Sequence, residues 1–181
     1  VFASSHGVLV GSSGTVNAGA FAARAPTQAF VDSVFDGTNP VDGPVNDLLA
    51  GTHPVAPDGS VVIEGTVNAA EEVELEADDV TVTGTLNTAS AARDGLIAAR
   101  DAARAVNLDY AAPTGMVSSA GEIHIGAGDA AVIGSEGGAA AVLNAGGGIV
   151  VTAKDVTVHD GATVDGGTTG DVTLAASDSM D

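Results

Sequence analysis

A seven-residue pattern constrains this chain more than any other feature: apolar, any, apolar, any, Ala, any, Asp. It occurs at Val73-Glu74-Leu75-Glu76-Ala77-Asp78-Asp79, Ile123-His124-Ile125-Gly126-Ala127-Gly128-Asp129, Ile149-Val150-Val151-Thr152-Ala153-Lys154-Asp155 and Val172-Thr173-Leu174-Ala175-Ala176-Ser177-Asp178. Successive copies start 50, 26 and 23 residues apart. An alternation of period two turns the first, third and fifth residues to one face, so each copy is expected to be a half-buried strand. Behind the first and third copies a second alternation follows at once, Val80-Thr81-Val82 and Val156-Thr157-Val158. The Asp between two alternations is therefore expected at a corner, where its side chain can accept from backbone amides.

A second signature, Gly-Thr-apolar-Asn, stands at Gly14-Thr15-Val16-Asn17, Gly65-Thr66-Val67-Asn68 and Gly84-Thr85-Leu86-Asn87, with a looser version at Ala162-Thr163-Val164-Asp165. The last two exact copies are 19 residues apart. Short strands with Gly, Asn and Asp corners, recurring every 19 to 26 residues, are what the coils of a parallel β-helix require. Composition agrees. Apolar residues make up 45% of the 181 residues, too many for a disordered acidic segment, yet aromatics are only 3% and the apolar content is mostly Ala and Val. Such side chains suit a thin, layered core.

Two segments break the period and are expected to be insertions in one continuous all-β domain whose coils occupy residues 1–26, 58–89 and 115–181. Residues 27–57 hold Pro40, Pro44, Pro54 and Pro57. They read as a loop-rich insertion with a short helical turn, packed over the coils by Phe30 and Phe35. Residues 90–114 begin with an Ala- and Arg-rich run to Val106, expected to be a short α-helix capped by Ser90. It carries Arg93, Arg100 and Arg104, three of the five basic residues. The chain has no initiator Met, stops just after an apolar alternation, and opens without a basic region followed by a long apolar stretch. It thus reads as a fragment of a longer chain, carrying no signal peptide of its own.

With 24 acidic against 5 basic residues the net charge is −19, which repels phosphate backbones and argues against nucleic acid as a partner. No run approaches the roughly 18 apolar residues of a membrane span, so no membrane insertion is expected. The absence of cysteine fits an exported bacterial protein and a cytosolic one alike.

The opening Gly7-Val8-Leu9-Val10-Gly11-Ser12-Ser13-Gly14-Thr15-Val16-Asn17-Ala18-Gly19-Ala20-Phe21, continued by Ala25-Pro26-Thr27-Gln28-Ala29-Phe30-Val31-Asp32, resembles the filamentous-haemagglutinin type of two-partner-secreted adhesin, closest to the leukotoxin-family filamentous adhesins. Gly59-Ser60-Val61-Val62-Ile63-Glu64-Gly65-Thr66-Val67-Asn68-Ala69 fits the same pattern, so the resemblance spans most of the chain. It implies a right-handed parallel β-helix at a bacterial surface or exported from it, acting in attachment and virulence. The implied partner is a host-cell or matrix receptor or glycan, with an outer-membrane secretion partner for export. Where the family carries an Asn-Pro-Asn-Gly turn the chain has Ser4-Ser5-His6-Gly7, which keeps only the glycine.

Parallel β-helices also serve as polysaccharide lyases and hydrolases, the alternative function. A lyase on an anionic polymer needs basic residues, and outside the helical insertion these are Arg24 and Lys154 alone. A hydrolase needs two suitably spaced carboxylates. Asp155 and Asp178, with Asp129 as a further member, are the pair the repeat would bring together, but corner Asp residues are expected as capping or solvated groups. His6, His53, His124 and His159 are scattered, whereas a metal site needs ligands converging from several places. His124 alternates with two Ile and faces outward, and neighbours such as His159 and Asp160 point to opposite faces. No Gly-x-Ser-x-Gly elbow is present. Gly126-Ala127-Gly128-Asp129 only faintly resembles a calcium-binding glycine-rich repeat, and a turn that needs glycine for its backbone is the better reading. The expectation is therefore a structural shaft and no enzyme: no catalytic, cofactor-binding or metal residue is assigned, and no cofactor.

Overall fold

The structure, a computed structural model, describes residues 1–88, 121–138, 140–167 and 170–181. Four strands come first: β1 (Phe2–Ala3), β2 (Gly7–Val10), β3 (Thr15–Ala18) and β4 (Phe21–Arg24). Next are α1 (Gln28–Ser33), β5 (Phe35–Asp36), β6 (Asn39–Pro40) and α2 (Asp42–Ala50). The strands resume with β7 (Ser60–Ile63), β8 (Thr66–Ala69), β9 (Glu72–Val82) and β10 (Thr85–Thr88). The remainder is β11 (Glu122–Ile133), β12 (Val142–Asn144), β13 (Gly148–Val158), β14 (Thr163–Asp165) and β15 (Asp171–Met180). The insertion expected at 90–114, with its helix from Ser90 to Val106 and its three arginines, lies outside the described residues.

The described chain is mostly β, in two parallel sheets. One runs β1-β4-β9-β11-β13-β15, with β7 also paired to β9 and β2 to β7; the other runs β3-β8-β10-β12-β14. The long strand β9 divides its partners. Its first half pairs with β4 and its second half, Asp79 to Val82, with β7. Between the halves the ladder to β11 shifts register, between Ala127 and Ala130. The corner expected at the motif Asp is thus an irregularity inside one continuous strand.

The four copies of the first signature are stacked in register. Val73 pairs with Ile123, Ile123 with Ile149 and Ile149 with Val172. Their spacings of 50, 26 and 23 residues are therefore the lengths of chain between neighbouring strands. Val151 sits between Ile125 and Leu174 and is fully buried. The inward residues of successive strands form one buried cluster with Val61, Ile63, Val67, Leu75 and Leu86. A parallel sheet stacks like on like, so β-branched and Leu side chains of similar girth fill this space without aromatic bulk.

The second signature stacks as well. Asn17, Asn68, Asn87, Asn144 and Asp165 are successive partners. Asn68 Nδ2 donates to Asn17 Oδ1 at 2.8 Å, Asn87 to Asn68 at 2.9 Å and Asn144 to Asn87 at 3.0 Å. An Asp in the next place has no amide hydrogen to give, and Asp165 instead accepts from its own Gly167 backbone. The signature glycines have a separate cause. A Cβ on Gly65 or Gly84 would collide with the carbonyl oxygen of Gly14 or Gly65, one strand earlier in the stack. Those same carbonyls accept from Thr66 and Thr85 at 2.9 Å, so the close approach is part of the ladder.

Residues 27–57 differ from a loop with one helical turn: they contain α1, α2 and the two-residue antiparallel pair β5–β6. Thr27 caps α1 by accepting from the Phe30 amide. Pro44 falls in the first turn of α2, where its missing N–H costs no helical hydrogen bond. Of the two phenylalanines, only Phe30 packs inward, its ring 5.6 Å from that of His53; Phe35 is 56% exposed.

Replacing Asn87 by Ala removes two ladder bonds and strands a half-buried donor and acceptor, whereas Asn17→Ala at the end of the ladder removes one. Urea unfolding is expected to give a loss of about 2 kcal/mol for Asn87→Ala and about 1 kcal/mol for Asn17→Ala. Equal losses at the two positions would show that the ladder does not act as a chain of bonds.

Candidate functional site

Alternation along β4, β9, β11 and β13 turns one set of residues away from the core. The inward residues Val73, Leu75 and Ala77 leave Glu72, Glu74 and Glu76 on the outer face of β9. Pairing then sets Arg24 of β4 beside Glu76 and His124 of β11 beside Glu74. In the next strand Val150 lies beside His124 and Thr152 beside Gly126.

Arg24 is buried although it points away from the core, with 2% of its surface exposed. The cover is α2, which ends over it. Gly51 closes that helix with φ 69°, and a Cβ there would come within 2.6 Å of Arg24 Nη1. The guanidinium supplies hydrogens to the carbonyls that the helix end leaves open: Nη1 donates to Leu48 O at 2.8 Å and Nη2 to Leu49 O at 3.4 Å. Nη2 also pairs with the Glu74 carboxylate, and Nη1 lies 3.6 Å from Glu76 Oε2. One arginine thus ties the insertion to two glutamates on the sheet.

His53, whose side chain is fully buried, brings Nε2 to 3.3 Å from Glu76 Oε2 without hydrogen-bond alignment. Neither ring nitrogen of His53, nor Arg24 Nε, has a hydrogen-bond partner among the described residues. Beside this cluster lies an open cavity of about 280 Å³, bounded by Arg24, Gly51, Glu74, Glu76, His124 and Thr152. Gly126 leaves its floor bare, and among the described residues no Phe or Tyr lines it.

The arrangement offers hydrogen-bond acceptors more than acid–base chemistry. Glu74 and Glu76 share one guanidinium, whereas paired catalytic carboxyls work by standing in unlike environments. At the edge of the cavity, His124 Nε2 is 2.9 Å from Glu122 Oε2, on a half-exposed pair.

The residues weighed from the repeat lie elsewhere. Asp155 is aligned with Ser179, whose hydroxyl donates to it, because β15 carries one extra residue at the shift between Ala153 and Asp155. Asp178 therefore does not stand opposite Asp155. Asp129 pairs with Lys154 at 2.9 Å on the open surface; that hydrogen bond, and then the charge of Asp129, raise the Lys154 pKa above its ordinary value. His6 meets Ser5 Oγ at 3.2 Å, and the His159 amide donates to Ile133 O. Of the four histidines, His53 and His124 reach the cluster or the cavity. Among the described residues no three His, Asp or Glu converge as metal ligands, and no helix is long and apolar enough to cross a membrane.

The signal for this cluster was in the repeat. Only its first copy places acids at all three outward positions, Glu74, Glu76 and Asp78, and only the second leaves two of them bare, at Gly126 and Gly128. Arg24, 50 residues before Glu74, could be joined to them only through the register. Comparison with known protein families, with curated proteins and with solved structures finds no match to this chain.

Arg24→Met keeps most of the side-chain volume and removes every one of these contacts. Since both glutamates are about a third exposed, solvent softens the loss, and a destabilisation of about 2 kcal/mol is expected. Amide exchange should accelerate across α2 more than in β11 or β13. Unchanged protection in α2 would show that the arginine does not hold the insertion.

Proposed function

We propose that this chain is a stretch of right-handed parallel β-helix from an exported filamentous surface adhesin, a stiff shaft that presents loops for attachment. The carrying observation is the register: two unrelated signatures stack like on like, through parallel pairings, in every strand where they occur. Strands that alternate between the sheets along the chain, at spacings of 19 to 26 residues where no insertion intervenes, are the pattern of repeated coils. The resemblance to filamentous-haemagglutinin adhesins supplies the rest of the reading: location at a bacterial surface, export through an outer-membrane partner, and a host-cell or matrix receptor or glycan as target. Insertions are where such a shaft would carry specificity, because they are free of the packing that every coil must satisfy.

One observation favours a second reading, a carbohydrate-active β-helix enzyme: Glu74 and Glu76 flank an open cavity on the outer face of a parallel sheet. The two readings separate on turnover. The purified chain is presented to a panel of bacterial, plant and host glycans, with detection of both binding and products. Binding without products is expected. Hydrolysis or elimination that is lost in Glu74→Gln or Glu76→Gln would overturn the adhesin in favour of the enzyme.

A further inference from the structure

The cavity beside Arg24 has a composition that selects its occupant. Its acceptors are the carboxylates of Glu74 and Glu76, which start two residues, about 6.6 Å, apart on one strand and both reach Arg24. Across the bare floor at Gly126 stands the Thr152 hydroxyl, which can donate or accept. His124 lines one corner with its Nε2 paired to Glu122, while Val150 and Ala50 supply small apolar contacts. At about 280 Å³ the space falls just below the roughly 300–1,000 Å³ of small-molecule sites. That is room for one sugar ring.

We infer that this cavity binds a single non-acidic pyranose ring of a glycan, held by its hydroxyls against Glu74, Glu76 and Thr152. Ionised carboxylates accept and cannot donate, so the ligand must bring hydrogens. Because Arg24 already pairs with both carboxylates, the site calls for hydroxyl donors more than for a further full positive charge. Uronic acids and sialic acids are rejected, because two carboxylates face one guanidinium in a chain of net charge −19. Arg24 is a positioning residue: it holds both glutamates and the end of α2, which forms the cavity's rim. The inference rests on the attachment reading for its choice of a glycan, and it moves one point of contact from the tips of the insertions to the root of the first.

Gly126 makes the test clean. A Cβ there would meet nothing closer than 4.0 Å, so Gly126→Leu can fill the floor without displacing backbone. The labelled chain is titrated with glucose, galactose, mannose, N-acetylglucosamine, glucosamine and glucuronate, and with a short oligolysine, while the amide resonances of His124, Gly126 and Thr152 are followed. Saturable shifts with at least one neutral or amino sugar and none with glucuronate are expected. They should vanish in Gly126→Leu with the melting temperature kept. In Thr152→Val, a variant that preserves shape, affinity should fall about fivefold, the range of one hydrogen bond. The inference is overturned if glucuronate shifts these amides as strongly, if oligolysine does so while no sugar does, if binding survives Gly126→Leu, or if no sugar shifts them. In the last case, glycan binding elsewhere on the chain would leave the attachment reading standing. Turnover of a sugar bound here would instead support the site and remove the adhesin.

Discussion

Stacking in register is the constraint on which everything else in this structure depends. A parallel ladder places each residue beside its counterpart in the neighbouring strand, so any side chain that is a poor neighbour to its own kind is costly at every step. Asparagine is a good neighbour, with a donor at one end of its amide and an acceptor at the other. In the ladder from Asn17 to Asn144 the inner amides, Asn68 and Asn87, each donate toward the N-terminal side of the stack and accept from the other, while Asn17 only accepts and Asn144 only donates. The line of bonds is directional and half-buried, where hydrogen bonds count for more than in water. A slip of one residue would break all of them and turn the valine and isoleucine column out to solvent.

The same constraint explains the outer face. Like charges stacked along a column repel, and the column through Ala22, Glu74, His124 and Val150 changes chemistry at each step. So does the column through Arg24, Glu76, Gly126 and Thr152. Core columns repeat because packing demands it. Outer columns are free to vary, and the variation at these two produces an ion-paired cluster beside an open floor. The insertion depends on the stack in turn, since its second helix ends on an arginine that the sheet holds in place.

Much of this architecture is legible from residues alone. The apolar alternation identified β9, β11, β13 and β15 and their mutual register, because inward positions are the ones that packing forces to repeat. The asparagine signature was equally readable at Asn17, Asn68 and Asn87. Asn144 escaped it, since Ala141-Val142-Leu143-Asn144 lacks the glycine and threonine while keeping the one side chain that the ladder needs. Corners were less legible: the extra residue in β15 moved Ser179, and not Asp178, opposite Asp155. The insertion was less legible, because four prolines point to a loop with one helical turn, whereas Pro44 occupies a first helical turn that tolerates it. The cavity was hidden because its parts are far apart in sequence and its floor is an absent side chain.

The account stands or falls on parallel pairing in a fixed register across successive strands. Contacts between backbone protons in a uniformly labelled sample test it most directly, at Val16, Val67, Leu86 and Leu143 in the second sheet. Parallel, in-register pairing predicts amide-to-Hα cross-peaks linking these four residues in that order, together with side-chain amide contacts from Asn17 through Asn144. Hα-to-Hα cross-peaks typical of antiparallel neighbours, or contacts displaced by one residue along any of these strands, would contradict it.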